Sequence, residues 1–448
     1  MSDREADPLA IAEYTPFSSV ALTDEERWPQ LGREAARRLA GILDHAHAPA
    51  WVHRAGHRLD EQAVARLAEP APLEAWLEST LAVAAQLPAY RGYPHPLKTL
   101  DDFPLISRDD LVADVAGFVP RGSDLSRLVA GTSSGSTGNP LHLPDHVEDV
   151  ARTFVMLRDL VREAGVRWEP DSSRLGLAYI VNQRQVFTYA SAIPGFGDSV
   201  MARVNLGDRA WTDRDEFLAD VDPQVFSGSP TSLAVLLEPQ LVERLRPLAL
   251  VSGAMHLSAT LRSQLEAAYS CPVIDIYGLH ETRPIAASLD GGPLVVLNRR
   301  VLVECLDPSG RPVGAGERGE LVVTAGENPL LPLVRYRTGD FGRLTTVNGR
   351  MAIAELEGRE DVTFAGVAGQ PVPSVDVTQQ LQAAGALGWT LVQHPDLSVR
   401  VVIAGGDAAQ AEHQLRLLLG DVTVTRVDRL DELGEGKPRR YRRLFADG

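Results

Sequence analysis

Apolar positions along the chain follow two rhythms. In "LGREAARRLAGILDHAHA", Leu31, Ala35, Leu39 and Leu43 recur at near-helical spacing, which predicts an amphipathic helix. Helical stretches separated by Pro-rich breaks continue to about residue 100 and predict a helical opening section. "LISRDDLVADV" sets Ser107 ahead of Asp109, Asp110 and an apolar run, the signature of a capped helix start. "LSRLVAGTSSGSTGNP" then reads as a short strand running into a glycine and hydroxyl loop. From 147 to 340, helical patterns such as "VEDVARTFVMLRDLVREAG" alternate with short apolar runs, "RLGLAYIV", "PQVFSG", "PLALVSGA" and "PVIDIYG". That alternation predicts an α/β fold around a largely parallel sheet. Between about 294 and 345 the rhythm becomes strand, turn, strand, which predicts a small β subdomain attached to the α/β part. From about 362, "LSVRVVIAGG", "DAAQAEHQLRLLLG" and "DVTVTRVDRL" read as strand, amphipathic helix, strand, a compact α+β tail.

Composition narrows the function classes. A chain of 448 residues is too long for one ordinary core and predicts two or three structural units. Sixty acidic against 44 basic side chains give a net charge of −16, which repels polyanions and argues against a nucleic-acid partner. The start "MSDREADPLAIAEYTPF" shows no basic segment followed by an apolar one, and no apolar run reaches membrane-spanning length, so no membrane is expected and the location is read as cytoplasmic. Cys271 and Cys305 stand far apart without a metal-ligand spacing and read as buried fillers.

Five segments could carry chemistry, and each has a plain alternative. "GTSSGSTGNP" offers backbone N–H groups and hydroxyls suited to phosphate oxygens, yet such clusters also serve as flexible connectors. It has no GK[ST] and so is not a P-loop. "IDIYGLHET" ends a strand in Tyr277 and Gly278 and presents His280 and Glu281, either a ligand site at a strand's carboxyl end or a turn with a buried tyrosine. "LVRYRTGDFGRL" places Asp340 where it could accept bonds from ribose hydroxyls, with Arg335 and Arg337 as ion-pair partners; the alternative is a β-turn with surface ion pairs. "EGREDV" holds Arg359 and Asp361 at a compositional change, a hinge or a polar linker. "GEGKPRRYRRL" presents Lys437 between Gly and Pro, or is a solvated basic tail.

Taken in order, "GTSSGSTGNP", "SGAM", "IDIYGLHET", "LVRYRTGDFG", "EGRED" and "GKPRRYRRL" resemble the motifs of the adenylate-forming superfamily of acyl-CoA synthetases and adenylation domains, and the chain looks most like its phenylacetate-CoA ligase branch. The resemblance spans roughly 100 to 445. It implies a large N-terminal domain over 1–360 and a small mobile C-terminal lid over 361–448. It also implies ATP-dependent activation of a carboxylic acid to an acyl-adenylate with pyrophosphate release, then transfer to CoA or a carrier-protein thiol. By similarity, Ser133, Ser134, Gly135, Ser136, Thr137 and Gly138 would line the β- and γ-phosphates. Gly253, Ala254, Asp275, Ile276, Tyr277 and Gly278 would border adenine and the acyl carboxylate. Glu281 matches the Mg²⁺ ligand, Asp340 the ribose-binding aspartate, Arg359 a residue near ribose and phosphate, Asp361 the hinge, and Lys437 the lysine bridging carboxylate and α-phosphate. Phe187, Tyr189 and Phe196 stand where the branch has its acyl pocket, with Ser227 and Met255 beside them, and imply an aryl or arylalkanoic acid; the aromatics are equally readable as core.

The pattern departs from the family in four places. Asn139 replaces the common loop lysine, His280 the threonine before Glu281, and Met255 the glutamate after Gly-Ala. Beyond Asp361, "VTFAGVAGQPVPSVDV" lacks the basic residue the family carries for thioester formation. Two alternatives follow, adenylation with transfer to an amine or other non-thiol nucleophile, and a catalytically silent nucleotide-binding relative.

Overall fold

The computed structural model describes residues 25, 28, 31–53, 56, 59, 61–68, 72–93, 96–123, 128–132, 142–146, 148–182, 188–358, 363–434 and 441–444. The opening section is helical, with helices Arg33–Leu43, Glu61–Ala68 and Leu73–Ala84. Ala35 and Leu39 are buried, whereas Leu43 is 38% exposed, so the buried stripe of the first helix is narrower than its spacing suggests. Helix Arg108–Asp114 starts where the sequence signals it. The Asp110 carboxylate accepts from the Ser107 backbone N–H at 2.7 Å and from the Ser107 hydroxyl at 2.8 Å, which satisfies a donor the helix leaves open.

Strands β1 (Leu128–Thr132) and β2 (His142–His146) form an antiparallel hairpin in which Thr132 pairs with His142. The Ser/Gly segment joins them and lies outside the described residues. The large sheet comprises β3 (Leu177–Val181), β4 (Tyr189–Ala192), β5 (Val200–Asn205), β6 (Val225–Gly228), β7 (Ala249–Gly253), β8 (Val273–Leu279), β9 (Arg283–Ser288), β10 (Leu294–Val296), β11 (Val301–Leu306), β12 (Arg318–Ala325), β13 (Leu333–Val347) and β14 (Arg350–Glu357). Their order is β11-β12-β13-β14-β10-β9-β8-β7-β6-β3-β5-β4. Neighbours from β5 through β3, β6 and β7 to β8 are parallel. These strands read as near-continuous apolar runs because helices cover both faces. On one face Phe217, Phe226, Leu233, Leu261 and Leu265 pack together; on the other Phe154, Leu157, Trp168, Val225 and Ile274 do so.

The expected β section is present and is attached by hydrogen bonding: β14 pairs with β10, and β10 with β9. After a short antiparallel pair, β15 (Thr363–Ala365) and β16 (Pro371–Pro373), a separate, smaller sheet is formed by β17 (Gly388–Gln393), β18 (Val399–Ala404), β19 (Val422–Val427) and β20 (Tyr441–Arg443) in the order β19-β18-β17-β20. Helices Ser374–Ala383 and Ala408–Leu419 cover it around Phe364, Val377, Leu391, Ile403 and Leu415. Leu387, Leu430 and Leu433 of this part reach the large sheet's helical core, and the Trp389 ring lies 6.2 Å from His256. No helix among the described residues is long and apolar enough to cross a membrane.

Candidate active site

Ligands of α/β proteins collect at the carboxyl ends of parallel strands, and here those ends carry most of the expected residues that are described. Ser227 closes on Gly228 at the end of β6, and a side chain at Gly228 would meet the Ile180 carbonyl at 2.6 Å. β7 ends in Gly253, after which Ala254 holds φ +67°, a left-handed conformation that costs a non-glycine residue roughly 1–2 kcal/mol and concentrates at functional sites. Met255 beside it is half-buried. β8 carries Asp275, Ile276, Tyr277 and Gly278. Register slips between Tyr277 and Gly278, where any Cβ would stand 2.6 Å from the Arg283 carbonyl oxygen, so glycine is the residue this bulge accommodates.

Two carboxylates define the site's electrostatics, and both come with an aromatic hydroxyl. The Tyr277 hydroxyl donates to Asp340 at 2.7 Å, and the Tyr336 hydroxyl donates to Glu281 at 2.7 Å. Glu281 and Asp340 are 3% and 4% exposed, so each is an acceptor fixed in direction within a poorly solvated setting. Although β8 and β13 are not neighbours in the sheet, its curl returns β13 to the β8–β9 turn. The Thr338 hydroxyl supports this strand by accepting from the Asp340 backbone N–H at 2.9 Å. Because alternate residues share a strand face, Tyr336, Thr338 and Asp340 are buried together. Arg335 and Arg337 point the other way and pair with Glu304 at 3.0 Å and Glu320 at 2.5 Å, the ion-pair role their sequence allowed.

Asp275 is the third acidic group. Burial, opposed by Arg262 and by the Ser252 hydroxyl, pushes its carboxyl up to about 6. Its Oδ1 is buried without a hydrogen-bond partner, an acceptor left open at the rim of the site. His280 does not gather metal ligands: its Nε2 lies 3.2 Å from Asp145 Oδ2, and Asp145 also pairs with Arg283. No group of three or more His, Cys, Asp or Glu side chains capable of holding a metal occurs among the described residues. A magnesium ion needs no such cage, since it is commonly held by one or two carboxylates together with substrate phosphates and water. A single buried carboxylate oriented by a tyrosine, Glu281, fits that mode.

Other expected positions fall elsewhere. Ser133, Ser134, Gly135, Ser136, Thr137, Gly138, Asn139, Phe187, Arg359, Asp361 and Lys437 lie outside the described residues. Tyr189 sits on β4 opposite Arg203. Phe196 is enclosed by Phe154 and Trp168 at 5.0 and 5.3 Å between ring centroids, so it serves core packing, and the pocket-wall expectation for it gives way to the core one. Both cysteines are buried and unpaired. Sequence reading gave no site role to Tyr336, Thr338, Asp145 or Arg283. The first two were recoverable from strand alternation with Asp340; the last two meet only through the fold.

Residues 184–328 match the family model for AMP-binding enzymes. The chain is 26% identical to a phenylacetate-coenzyme A ligase of Aromatoleum evansii over 290 residues, 60% of this chain and 63% of that protein. The matched part of the chain is thus similar to AMP-binding enzymes, in line with the resemblance its ordered motifs carry. A phenylacetate-coenzyme A ligase of Pseudomonas putida is 25% identical over 295 residues, 60% of this chain and 64% of that protein. The chain thus spans just under two thirds of the length of the curated relatives it matches. Among solved structures, a 2-hydroxyisobutyryl-CoA ligase in the postadenylation state with 2-HIB-AMP superposes with a TM-score of 0.58 at 18% identity, over 84% of this chain and 91% of that one. The latter likeness speaks to the fold alone.

Proposed function

We propose that the protein activates a carboxylic acid with ATP to an acyl-adenylate and transfers the acyl group to the thiol of CoA. The observation that carries this reading is the pair of buried carboxylates, Glu281 and Asp340, each aimed by a tyrosine hydroxyl beside the carboxyl ends of β6, β7 and β8. A carboxylate oxygen of the acid attacks the α-phosphorus of ATP, the bond to the bridging oxygen breaks, and pyrophosphate leaves. The CoA thiolate then attacks the acyl carbon and releases AMP. Two anions meet in the first step, so preorganised positive charge and hydrogen-bond donors decide its rate. Mg²⁺, when bound at Glu281, supplies charge neutralisation of the phosphates.

In this reading Ser133–Gly138 wrap the β- and γ-phosphates, Asp340 takes the ribose hydroxyls, and Asp275, Ile276, Tyr277 and Gly278 border adenine. Lys437 bridges the acid and the α-phosphate, Arg359 stands near ribose and phosphate, and Asp361 is the hinge between a large domain, 1–360, and a lid, 361–448. Tyr189, Phe187, Ser227 and Met255 belong to the acid's pocket and favour an aryl or arylalkanoic acid. A cytoplasmic location accords with ATP and CoA as co-substrates, and a carrier-protein thiol is the other acceptor of the same chemistry.

The test is incubation with ATP, Mg²⁺ and a panel of carboxylic acids, with and without CoA, following pyrophosphate and products by mass spectrometry. Acid-dependent pyrophosphate release with acyl-CoA formation is expected. Absence of acid-dependent pyrophosphate across aryl, arylalkanoic and short aliphatic acids would overturn the reading, whereas pyrophosphate without acyl-CoA would move the acceptor to a carrier protein or an amine.

A further inference from the structure

The geometry points to Asp145 as a positioning residue that fixes the hairpin around the Ser/Gly segment against the turn bearing Glu281. This inference rests on the proposed ATP-dependent activation. Asp145 lies on β2, opposite Val129 of β1 and three residues past His142, where the described strand resumes after the segment. Its side chain leaves the hairpin and enters the β8–β9 turn. There Oδ2 meets His280 Nε2 at 3.2 Å, and Oδ1 pairs with the Arg283 guanidinium. His280 and Arg283 bracket Glu281, so one carboxylate grips both sides of the proposed Mg²⁺ ligand.

The turn itself is braced for that grip. Arg283 holds φ +64°, a left-handed conformation rare for its type, which persists only where surroundings over-determine it. The Thr282 hydroxyl accepts from the Leu279 backbone N–H at 3.4 Å and donates to the Arg283 carbonyl at 3.1 Å, while Tyr336 fixes Glu281. One residue before Asp145, the Pro144 carbonyl accepts from the Asn328 side-chain amide at 2.9 Å, so the hairpin is held at two successive residues. Asp145 is only 8% exposed. An ion pair so enclosed fixes geometry more reliably than it adds stability. Its consequence is to hold Thr132 and His142, the described residues flanking the Ser/Gly segment, at a set position relative to Glu281, where the proposed function has the β- and γ-phosphates and the metal engaged together. Asn139, in place of a loop lysine, makes placement of the remaining donors weigh more.

Equilibrium binding of ATP and of AMP, each with Mg²⁺, to the full-length protein and to Asp145→Asn separates this role from a merely structural one. AMP lacks the phosphates the segment serves. The variant should weaken ATP roughly ten- to a hundredfold, the scale set by displacing a positioned group by about an ångström, and leave AMP within about twofold. Arg283→Gln should reproduce the effect, Arg283→Lys should restore part of it, and Asp145→Asn/Arg283→Gln should be no weaker than either single variant, the mark of one shared interaction. Equal losses for ATP and AMP, no loss for ATP, or additive single-variant effects overturn the inference. If Asp145→Asn fails to fold, the Arg283 pair carries the same comparison. Wild-type protein that binds neither nucleotide overturns the activation reading itself, a result distinct from each of these.

Discussion

At the scale of single residues, Asp275 sets a measurable pH dependence. Its carboxyl is raised to about 6 by burial, above the ordinary aspartate value near 3.9 that the unfolded chain shows. Between those values this group holds more protons in the folded state than in the unfolded one, so its contribution to stability falls as pH rises from about 4 through about 6. The full shift corresponds to roughly 3 kcal/mol. Asp275→Asn should flatten this slope and raise the melting temperature at neutral pH, which thermal melts of both proteins from pH 4 to 8 will read. A melting-temperature difference between the two proteins that does not change with pH across that window contradicts the assignment. Under the proposed function this destabilising acid borders adenine, and its partnerless Oδ1 is an acceptor available there. Tyr336 gives a second expectation. Tyr336→Phe removes the donor to Glu281, leaving a buried carboxylate short of a bond, and should lower stability by about 1–3 kcal/mol. Under the proposed function, it should also raise the Mg²⁺ concentration needed for half-maximal pyrophosphate release.

Among elements, the β8–β9 unit shows most directly how sequence becomes site. Its bulge at Gly278 swings the strand end so that Tyr277 reaches Asp340 while Glu281 reaches Tyr336. Gly278→Ala would press a methyl group 2.6 Å from one carbonyl oxygen and 2.7 Å from the Pro284 Cα, both backbone and unable to yield cheaply. Circular dichroism should show a folded protein destabilised by roughly 1–3 kcal/mol, with ATP binding reduced further than that loss explains. An unchanged melting temperature together with unchanged ATP binding contradicts this account. Gly278 reads as the end of this strand but is a bulge within it, and the strand runs on to Leu279; the strand itself was legible in the sequence from "PVIDIYG". So were the parallel strands with their helices, because burial on both faces writes an apolar run that alternates with helical spacing. What the sequence hid was the curl of the sheet, which seats Tyr336 against Glu281 across two strands that never pair. It also hid the meeting of Asp145 with Arg283, since neither residue type nor spacing encodes a contact created by folding the hairpin onto a distant turn. Phe196 shows the converse, an aromatic whose position along the chain suits a pocket but whose neighbours Phe154 and Trp168 make it core.

For the whole molecule, the question is how the large sheet and the smaller one stay in register across residues 358–374. Glu357 ends β14, and its Oε2 accepts from the Ser374 hydroxyl at 2.6 Å and from Arg318 at 3.1 Å. Ser374 opens the helix Ser374–Ala383 that covers the smaller sheet. Glu357 and Ser374 are 7% and 1% exposed, and Glu357 Oε1 is buried without a partner, so this is a poorly solvated charge-assisted bond between the two parts. A second contact is apolar, through Leu430 and Leu433, which directly precede the segment holding Lys437. If Lys437 acts on the α-phosphate, its approach depends on how these two contacts hold the smaller sheet. Ser374→Ala removes one donor without touching any residue of the proposed site. Its expected outcome is faster proteolytic separation of the two parts, by about 5- to 30-fold, the factor matching a charge-assisted bond of roughly 1–2 kcal/mol. Lys437→Ala, by contrast, should leave cleavage unchanged and lower acid-dependent pyrophosphate release by roughly 10²–10³. Measuring both rates on both variants separates holding the parts together from supplying charge. A Ser374→Ala protein cleaved no faster than wild type would show that the apolar contact alone sets the position, and would transfer the test to Leu430→Ala.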